Sequence, residues 1–278
     1  MSNPYKIEGP ALISFSGGRT SAFMLWNILQ AHGGVLPNDI YVTFANTGKE
    51  APETLDFVHE VEQKWGVKIY WLELYFGEER PVYRTKIVDY ETASRNGEPF
   101  EALLDRRKYL PNPVTRFCTS ELKIKVMSRF MRKLQGYKNW YNVIGLRYDE
   151  PRRVASALKQ YEAWTNITPM NDAKHTVEDV SEFWRKQNFD LKLTNANGKT
   201  PAGNCDLCFL KGMDTTISIL KERPEMADWW IKQEQKFGEH EGATFRKDRP
   251  NYIKLVEISK TQQDLFGDDD QMTCFCHD

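Results

Sequence analysis

One stretch near the start constrains the fold more than any other. Ala11-Leu12-Ile13-Ser14-Phe15 is a short apolar run that stops at Ser16-Gly17-Gly18-Arg19-Thr20-Ser21, after which Ala22, Phe23, Leu25, Trp26, Ile28 and Leu29 recur at helical spacing. The pattern predicts a strand, a tight glycine loop and a helix. Such a junction gathers backbone N–H groups and the positive end of a helix around one small concavity, where a phosphate fits. Gly17 and Gly18 permit unusual dihedrals and close approach, Ser16, Thr20 and Ser21 supply hydroxyls, and Arg19 supplies a positive charge; Ser14, at the strand end, joins the same candidate set. The Lys-Ser/Thr ending of a Walker loop and the glycine fingerprint of dinucleotide-binding folds are both missing, which weighs against kinase-like and dehydrogenase-like chemistry.

A second unit follows. Ile40 to Ala45 reads as a buried strand, Asn46-Thr47-Gly48 as a turn, Pro52 to Trp65 as a helix, and Val67 to Leu72 as a third strand. Alternating strands and helices imply an α/β fold, a Rossmann-like parallel sheet with helices on both faces. Tyr141 to Leu146 extends that sheet, so the nucleotide-binding domain is expected over residues 1–165 and a smaller cysteine-bearing region over 166–278. Within the latter, Thr176 caps a helix, 195–204 is a loop, and Pro224 opens a helix towards Gly238. The stretch 76–113 carries no clean period and reads as an excursion from the sheet.

Charge and cysteine usage narrow the function. The 278 residues carry 38 Lys+Arg against 39 Asp+Glu, a net charge of -1, which weighs against a nucleic-acid binder, since those are usually basic on at least one face. Between Asp105 and Lys133, however, nine basic residues stand against two acidic ones, which favours an anionic ligand nearby. No window approaches the roughly 18 apolar residues of a membrane helix, and Met1 to Pro10 lack a basic region followed by an apolar core; a cytoplasmic protein that does not enter membranes is expected. Five cysteines are too few and too scattered for a disulfide framework. Cys205-Asp206-Leu207-Cys208 has the spacing that lets two thiolates meet one metal, and Cys118 lies far off in sequence. The tail, Cys274-Phe275-Cys276-His277, has three readings that stand equal: further ligands, a mobile redox nucleophile, or a free end. Arg147 and Arg153, just beyond a strand end at Gly145, face the side where parallel sheets bind ligands.

Taken together, these segments resemble a known family. Ser16-Gly17-Gly18-Arg19-Thr20-Ser21 resembles the Ser-Gly-Gly-x-x-Ser loop of the PP-loop, or adenine nucleotide alpha-hydrolase-like, proteins. Phe44-Ala45-Asn46-Thr47-Gly48 with Pro52-Glu53-Thr54, Arg116-Phe117-Cys118 with Leu122-Lys123, and Gly145-Leu146-Arg147 through Glu150 and Arg153 resemble, in order, segments of the phosphoadenosine phosphosulfate (PAPS) reductase branch. Asn46 stands where Asp is usual, and Arg19-Thr20 replaces Lys-Asp. The resemblance implies an adenylyl nucleotide, ATP or PAPS, as substrate, with Ala45, Asn46, Thr47 and Gly48 beside adenine and ribose. It implies Lys123, Arg147 and Arg153 on the reacting anion, and a thiolate of Cys276 or Cys274 attacking sulfur, reset by a thioredoxin-like reductant. Cys118, Cys205 and Cys208, joined by Cys274 or Cys276, would hold a 4Fe-4S cluster ahead of zinc. A close alternative is an ATP pyrophosphatase that adenylates a nucleic acid, bound through the basic 105–133 segment, for cluster-dependent sulfur transfer. A third reading, of another class, is a nucleotide-binding regulatory module without chemistry.

Overall fold

The computed structural model describes residues 3–159, 162–196, 198, 200–238 and 244–261. At its centre lies β1 (Ala11–Ser14), paired in parallel with β2 (Ile40–Ala45) on one side and β5 (Tyr141–Ile144) on the other. β3 (Ile69–Phe76) and β4 (Tyr83–Val88) extend the sheet beyond β2, and β6 (Thr165–Ile167) closes the far edge, giving the order β4-β3-β2-β1-β5-β6. The expected α/β architecture is present with one difference: β4 runs antiparallel to β3. Its sequence, Tyr-Arg-Thr-Lys-Ile-Val, lies inside the stretch read as an excursion, because an edge strand with Arg84 and Lys86 on it carries little of the apolar signal of a buried one.

β1 is buried along its whole length because both faces are covered, as parallel sheets require. Its side chains alternate between two cores. Ala11, Ile13 and Phe15 pack into one with α1 (Arg19–Ala31), α2 (Pro52–Trp65) and α7 (Val177–Arg185). Leu12 enters the other, with residues of α3 (Glu98–Arg107), α8 (Met213–Glu222), α9 (Ala227–Gly238) and α10 (Tyr252–Thr261). Trp230, Phe245 and Tyr252 are wholly buried there. The helix expected from Pro224 begins as a short 3-10 turn, Pro224–Met226, and continues as α9. α8 and α10, which no cap or period announces, flank it.

A helical stretch over 119–134 carries the second core under the sheet. It is wound as a π-helix over Thr119–Ile124, an α-helix (α4) over Lys125–Arg129, and a π-helix again over Phe130–Leu134. Two shorter helices, α5 (Pro151–Leu158) and α6 (Pro169–Asp172), follow β5 and β6. The chain visits β2 and β3 on one side of β1 and returns to β5 on the other, so the strand order reverses at the carboxyl end of β1. That is where an open α/β sheet offers its crevice.

Candidate functional site

The glycine loop occupies this reversal point. Gly17 has φ +80, and a Cβ there would lie 2.7 Å from Thr54 Cγ2 on α2, so both its conformation and its neighbours demand glycine. Ser21 Oγ knits the loop together, accepting from Ser16 N (3.3 Å) and donating to the Gly18 carbonyl (3.0 Å), with Ser16 Oγ at 3.0 Å. α1 then starts with Gly18 as its N-cap. Among the described residues no side chain caps it and no carboxylate stands in its first turn. The first turn of the helix therefore carries no acidic residue of its own to offset its positive end at the crevice.

Two hollows meet at this loop. One, of about 430 Å³, is bounded by Ser16, Gly17, Gly18, Thr20, Arg147, Glu150, Arg153, Cys208 and Lys211. The other, of about 90 Å³, is a mostly apolar slot beneath the 119–134 helix, lined by Leu12, Ser14, Ala45, Ile124, Met127, Leu146, Trp140 and Trp164. Ser16 and Arg153 border both. The two hollows adjoin at these residues as the halves of one cleft lining, one suited to a flat apolar ring and the other to an anion.

Cations ring the larger half. Arg153 pairs through Nη1 with Glu150, while its Nε and Nη2 are buried and have no hydrogen-bond partner among the described residues. A guanidinium rarely leaves two N–H groups orphaned unless something else is meant to accept them. Arg147 holds Thr20 Oγ1 (3.3 Å) and Asp149 Oδ1 (3.0 Å), and its backbone N–H donates to Glu150 (3.0 Å). Lys211 Nζ donates to the Gly203 carbonyl at 2.7 Å. Lys123 borders the slot, with Nζ 3.8 Å from Glu50 Oε1. Gly145 and Leu146 are buried, and Leu146 forms part of the slot wall.

Two groups of expected ligand residues are placed differently. Arg19 does not direct its charge to the loop: Nε and Nη2 grip Asp190 (2.7 and 2.6 Å), Nη1 reaches Thr200 Oγ1 (3.1 Å), and Nη2 also meets the Leu191 and Leu193 carbonyls. In the second strand's turn only Ala45 faces the cleft. Asn46 is fully buried, donating to Glu73 (2.7 Å) and the Ser94 carbonyl (2.8 Å) and accepting from Gly48 N (3.1 Å). Thr47 is tied to Glu50, and a Cβ on Gly48 would touch Gly97 at 3.0 Å. The departure at Asn46 is thus a structural one: its amide neutralises the demand of the buried Glu73 carboxylate, which Lys86 also meets at 2.9 Å.

The cysteines divide. Cys205 and Cys208 sit in a tight turn, closed by Cys208 N to the Cys205 carbonyl (3.3 Å), and both are buried thiols. The turn is held rigidly. Asp206 binds Lys49 Nζ (2.9 Å), Trp230 Nε1 (2.8 Å) and Leu207 N (2.7 Å), and Tyr252 OH donates to the Leu207 carbonyl (2.6 Å). Burial pushes the Tyr252 phenol well above its ordinary value, so it stays a donor. Cys208 forms part of the wall of the anion hollow; Cys205 Sγ lies behind it, 3.6 Å from Thr47 Oγ1. Cys118 is half-buried at the head of the 119–134 helix. Among the described residues no three His, Cys, Asp or Glu side chains are arranged to hold a metal ion, so these thiols do not of themselves compose the expected cluster site. Cys274 and Cys276 lie outside the described residues.

Part of the basic excess of 105–133 is spent internally. Arg107 (2.8 Å), Lys125 (2.9 Å) and Arg129 (3.3 Å) all converge on the buried carboxylate of Glu121. Burial lowers Arg129 from its ordinary value, although Glu121 opposes the shift. Sequence reasoning missed Met127, Trp140, Asn142 and Trp164 in the slot and Lys211 in the hollow. Lys211, three residues past Cys208, carried the only readable signal, a cation next to a thiol pair.

Residues 10–192 match the family model described as the phosphoadenosine phosphosulfate reductase domain. The chain is 31% identical over 207 residues to an uncharacterized nin region protein of Escherichia phage lambda, covering 72% of this chain and 66% of that one, just under two thirds of the relative's length. It is 44% identical over 64 residues to an uncharacterized protein of Methanocaldococcus jannaschii, 23% of this chain and 12% of that one. Among solved structures, it is similar to the PAPS reductase of Candida auris (16% identity, TM-score 0.39, 66% of this chain and 79% of that one). It is also similar to the U34-tRNA thiolase NcsA of Methanococcus maripaludis with its 4Fe-4S cluster (14% identity, TM-score 0.43, 96% and 78%). Among the described residues no helix is long and apolar enough to cross a membrane.

Proposed function

The chain belongs to the phosphoadenosine phosphosulfate reductase domain family, and from that premise we propose that it binds an adenylyl nucleotide in the double cleft and reduces its sulfuryl group with a thiol. The observation that carries this reading is the shared border of the two hollows: a ring in the apolar slot has its anionic end delivered past Ser16 and Arg153 to a chamber with a thiol in its wall. The amide end of α1 and the Ser16 hydroxyl hold the adenylyl phosphate, and Arg153, Arg147 and Lys211 neutralise the charge that grows on the departing oxygen. A cysteine thiolate attacks the sulfuryl sulfur, forming an S–S bond as the S–O bond breaks and its electron pair leaves on the adenylyl phosphate. A thioredoxin-like dithiol then attacks the cysteine sulfur and releases sulfite. Of the described thiols, Cys208 stands at that wall. The thiol chemistry above needs only the dithiol as reductant, and anaerobic iron and sulfide analysis tests separately for a cluster on Cys118, Cys205 and Cys208.

The test is product analysis with PAPS and with adenylyl sulfate in the presence of a dithiol: sulfite together with the adenosine phosphate is expected. A second reading rests on the basic excess of the 105–133 segment, where three cations meet the single carboxylate of Glu121 and so leave a net positive charge that suits a phosphate backbone alongside the cleft. Under it the substrate is ATP and the product pyrophosphate, released only when an oligonucleotide is present and less as salt rises. Nucleotide binding without any of these products would leave the regulatory-module reading standing.

A further inference from the structure

We infer that Arg19 is a positioning residue that makes one wall of the anion chamber acceptable to an anion, rather than a ligand of that anion. This rests on the nucleotide-binding reading above. The wall opposite the glycine loop is built by residues 190–196, 198 and 200–204, of which Ala196, Gly198, Thr200 and Gly203 face the chamber. Arg19, adjoining the same chamber from the first turn of α1, directs its guanidinium into that wall. Its Nε and Nη2 take both carboxylate oxygens of Asp190 in a fork, Nη1 takes Thr200 Oγ1, and Nη2 takes the carbonyls of Leu191 and Leu193.

Two consequences follow from elementary electrostatics. The acceptors covered by Arg19 are a full negative charge and two carbonyl dipoles, all within a few residues of the chamber. Left uncovered, they would oppose a phosphate or sulfate entering it. The same contacts hold the wall at a fixed distance from the loop. The guanidinium side chain is 9% exposed and the Asp190 side chain 44% exposed, so the cation is the buried, immobile partner and the carboxylate the one that would swing free. The Arg19 carbonyl in turn accepts from Trp184 Nε1 at 2.9 Å, which fixes the first turn of α1 against α7. On the other side of the wall, Gly198 is packed so closely that a Cβ would meet Val177 Cγ2. The wall is thus clamped at two points, and Arg19 is the one that carries charge.

The experiment uses the full chain and titrates adenosine, which lacks an anion, alongside adenylyl sulfate and ATP by calorimetry. In Arg19→Met, which keeps the buried stem, affinity for the two anionic ligands falls about ten-fold or more while adenosine affinity is unchanged. The double variant Arg19→Met with Asp190→Asn recovers most of the anionic affinity, because the uncovered charge is gone. Trypsin cleavage after the exposed Lys192 is faster in Arg19→Met than in the parent chain. Equal loss of adenosine and anion binding would reduce Arg19 to a folding role and overturn the inference. So would a double variant no better than the single one, which would mark Arg19 as a direct anion ligand. If the parent chain binds none of the three ligands, the nucleotide-binding reading itself fails.

Discussion

Arg153 offers the sharpest quantitative test. Its Nη1 is committed to Glu150, whereas Nε and Nη2 are buried at the border of the cleft with no acceptor among the described residues. If both donate to a bound phosphate or sulfate, two charge-assisted hydrogen bonds form, each worth about 1.5 kcal/mol or more. Immobilising the ligand takes back part of that, leaving about 2 kcal/mol for the residue, or roughly a 30-fold change in Kd. Replacing it with Met should therefore weaken PAPS or ATP binding by about that factor in calorimetry. Folding should be little affected, since Glu150 retains the Arg147 backbone N–H at 3.0 Å and the Arg147 guanidinium at 3.7 Å. Arg153→Lys should recover only part of the loss, because an ammonium restores charge but not the planar fork. An Arg153→Met protein that is folded and binds the nucleotide with unchanged affinity would refute the assignment of its unpartnered nitrogens to the ligand.

Other outcomes follow from the same geometry. Gly17→Ala combines a left-handed φ with a 2.7 Å approach to Thr54, so it should lower thermal stability by about 2 kcal/mol and abolish nucleotide binding together. Cys208→Ser should leave nucleotide affinity intact and suppress sulfite release if the chamber thiol takes part. Burial of Glu53 opposes its ionisation, but hydrogen bonds and charge from Arg223 prevail and hold the carboxyl below its ordinary value. A carboxyl depressed in the folded state gives stability that is present above its unfolded value and lost as the pH falls through the folded one. Denaturant melts taken across that acid range should show a slope that Glu53→Gln flattens.

The first crossover was legible because every layer of its signal agrees. The apolar run of β1, the glycines and the periodic α1 point to one structure, and Gly17 is demanded twice over. The Asn46-Thr47-Gly48 turn shows where this reasoning stops. Its position at a strand end was readable, but the direction of its side chains depends on Glu73 and Ser94, which lie 27 and 48 residues away. The direction of the Arg19 side chain was out of reach for the same reason, since Asp190 lies 171 positions downstream and nothing local marks it as the partner. β4 escaped notice because a solvated edge strand lacks a buried strand's composition. Nothing local marks Trp140 and Trp164, and only the fold of the 119–134 helix over the sheet turns them into a slot wall.

The shared border at Ser16 and Arg153 also bears on what the site can select. A molecule that occupies both hollows lays its middle beside those two residues, with an apolar side before it and a charged one beyond. A nucleoside joined to an anionic group matches that division of polarity, whereas a compound charged at both ends, or apolar at both, would leave one hollow mismatched however well it filled the other.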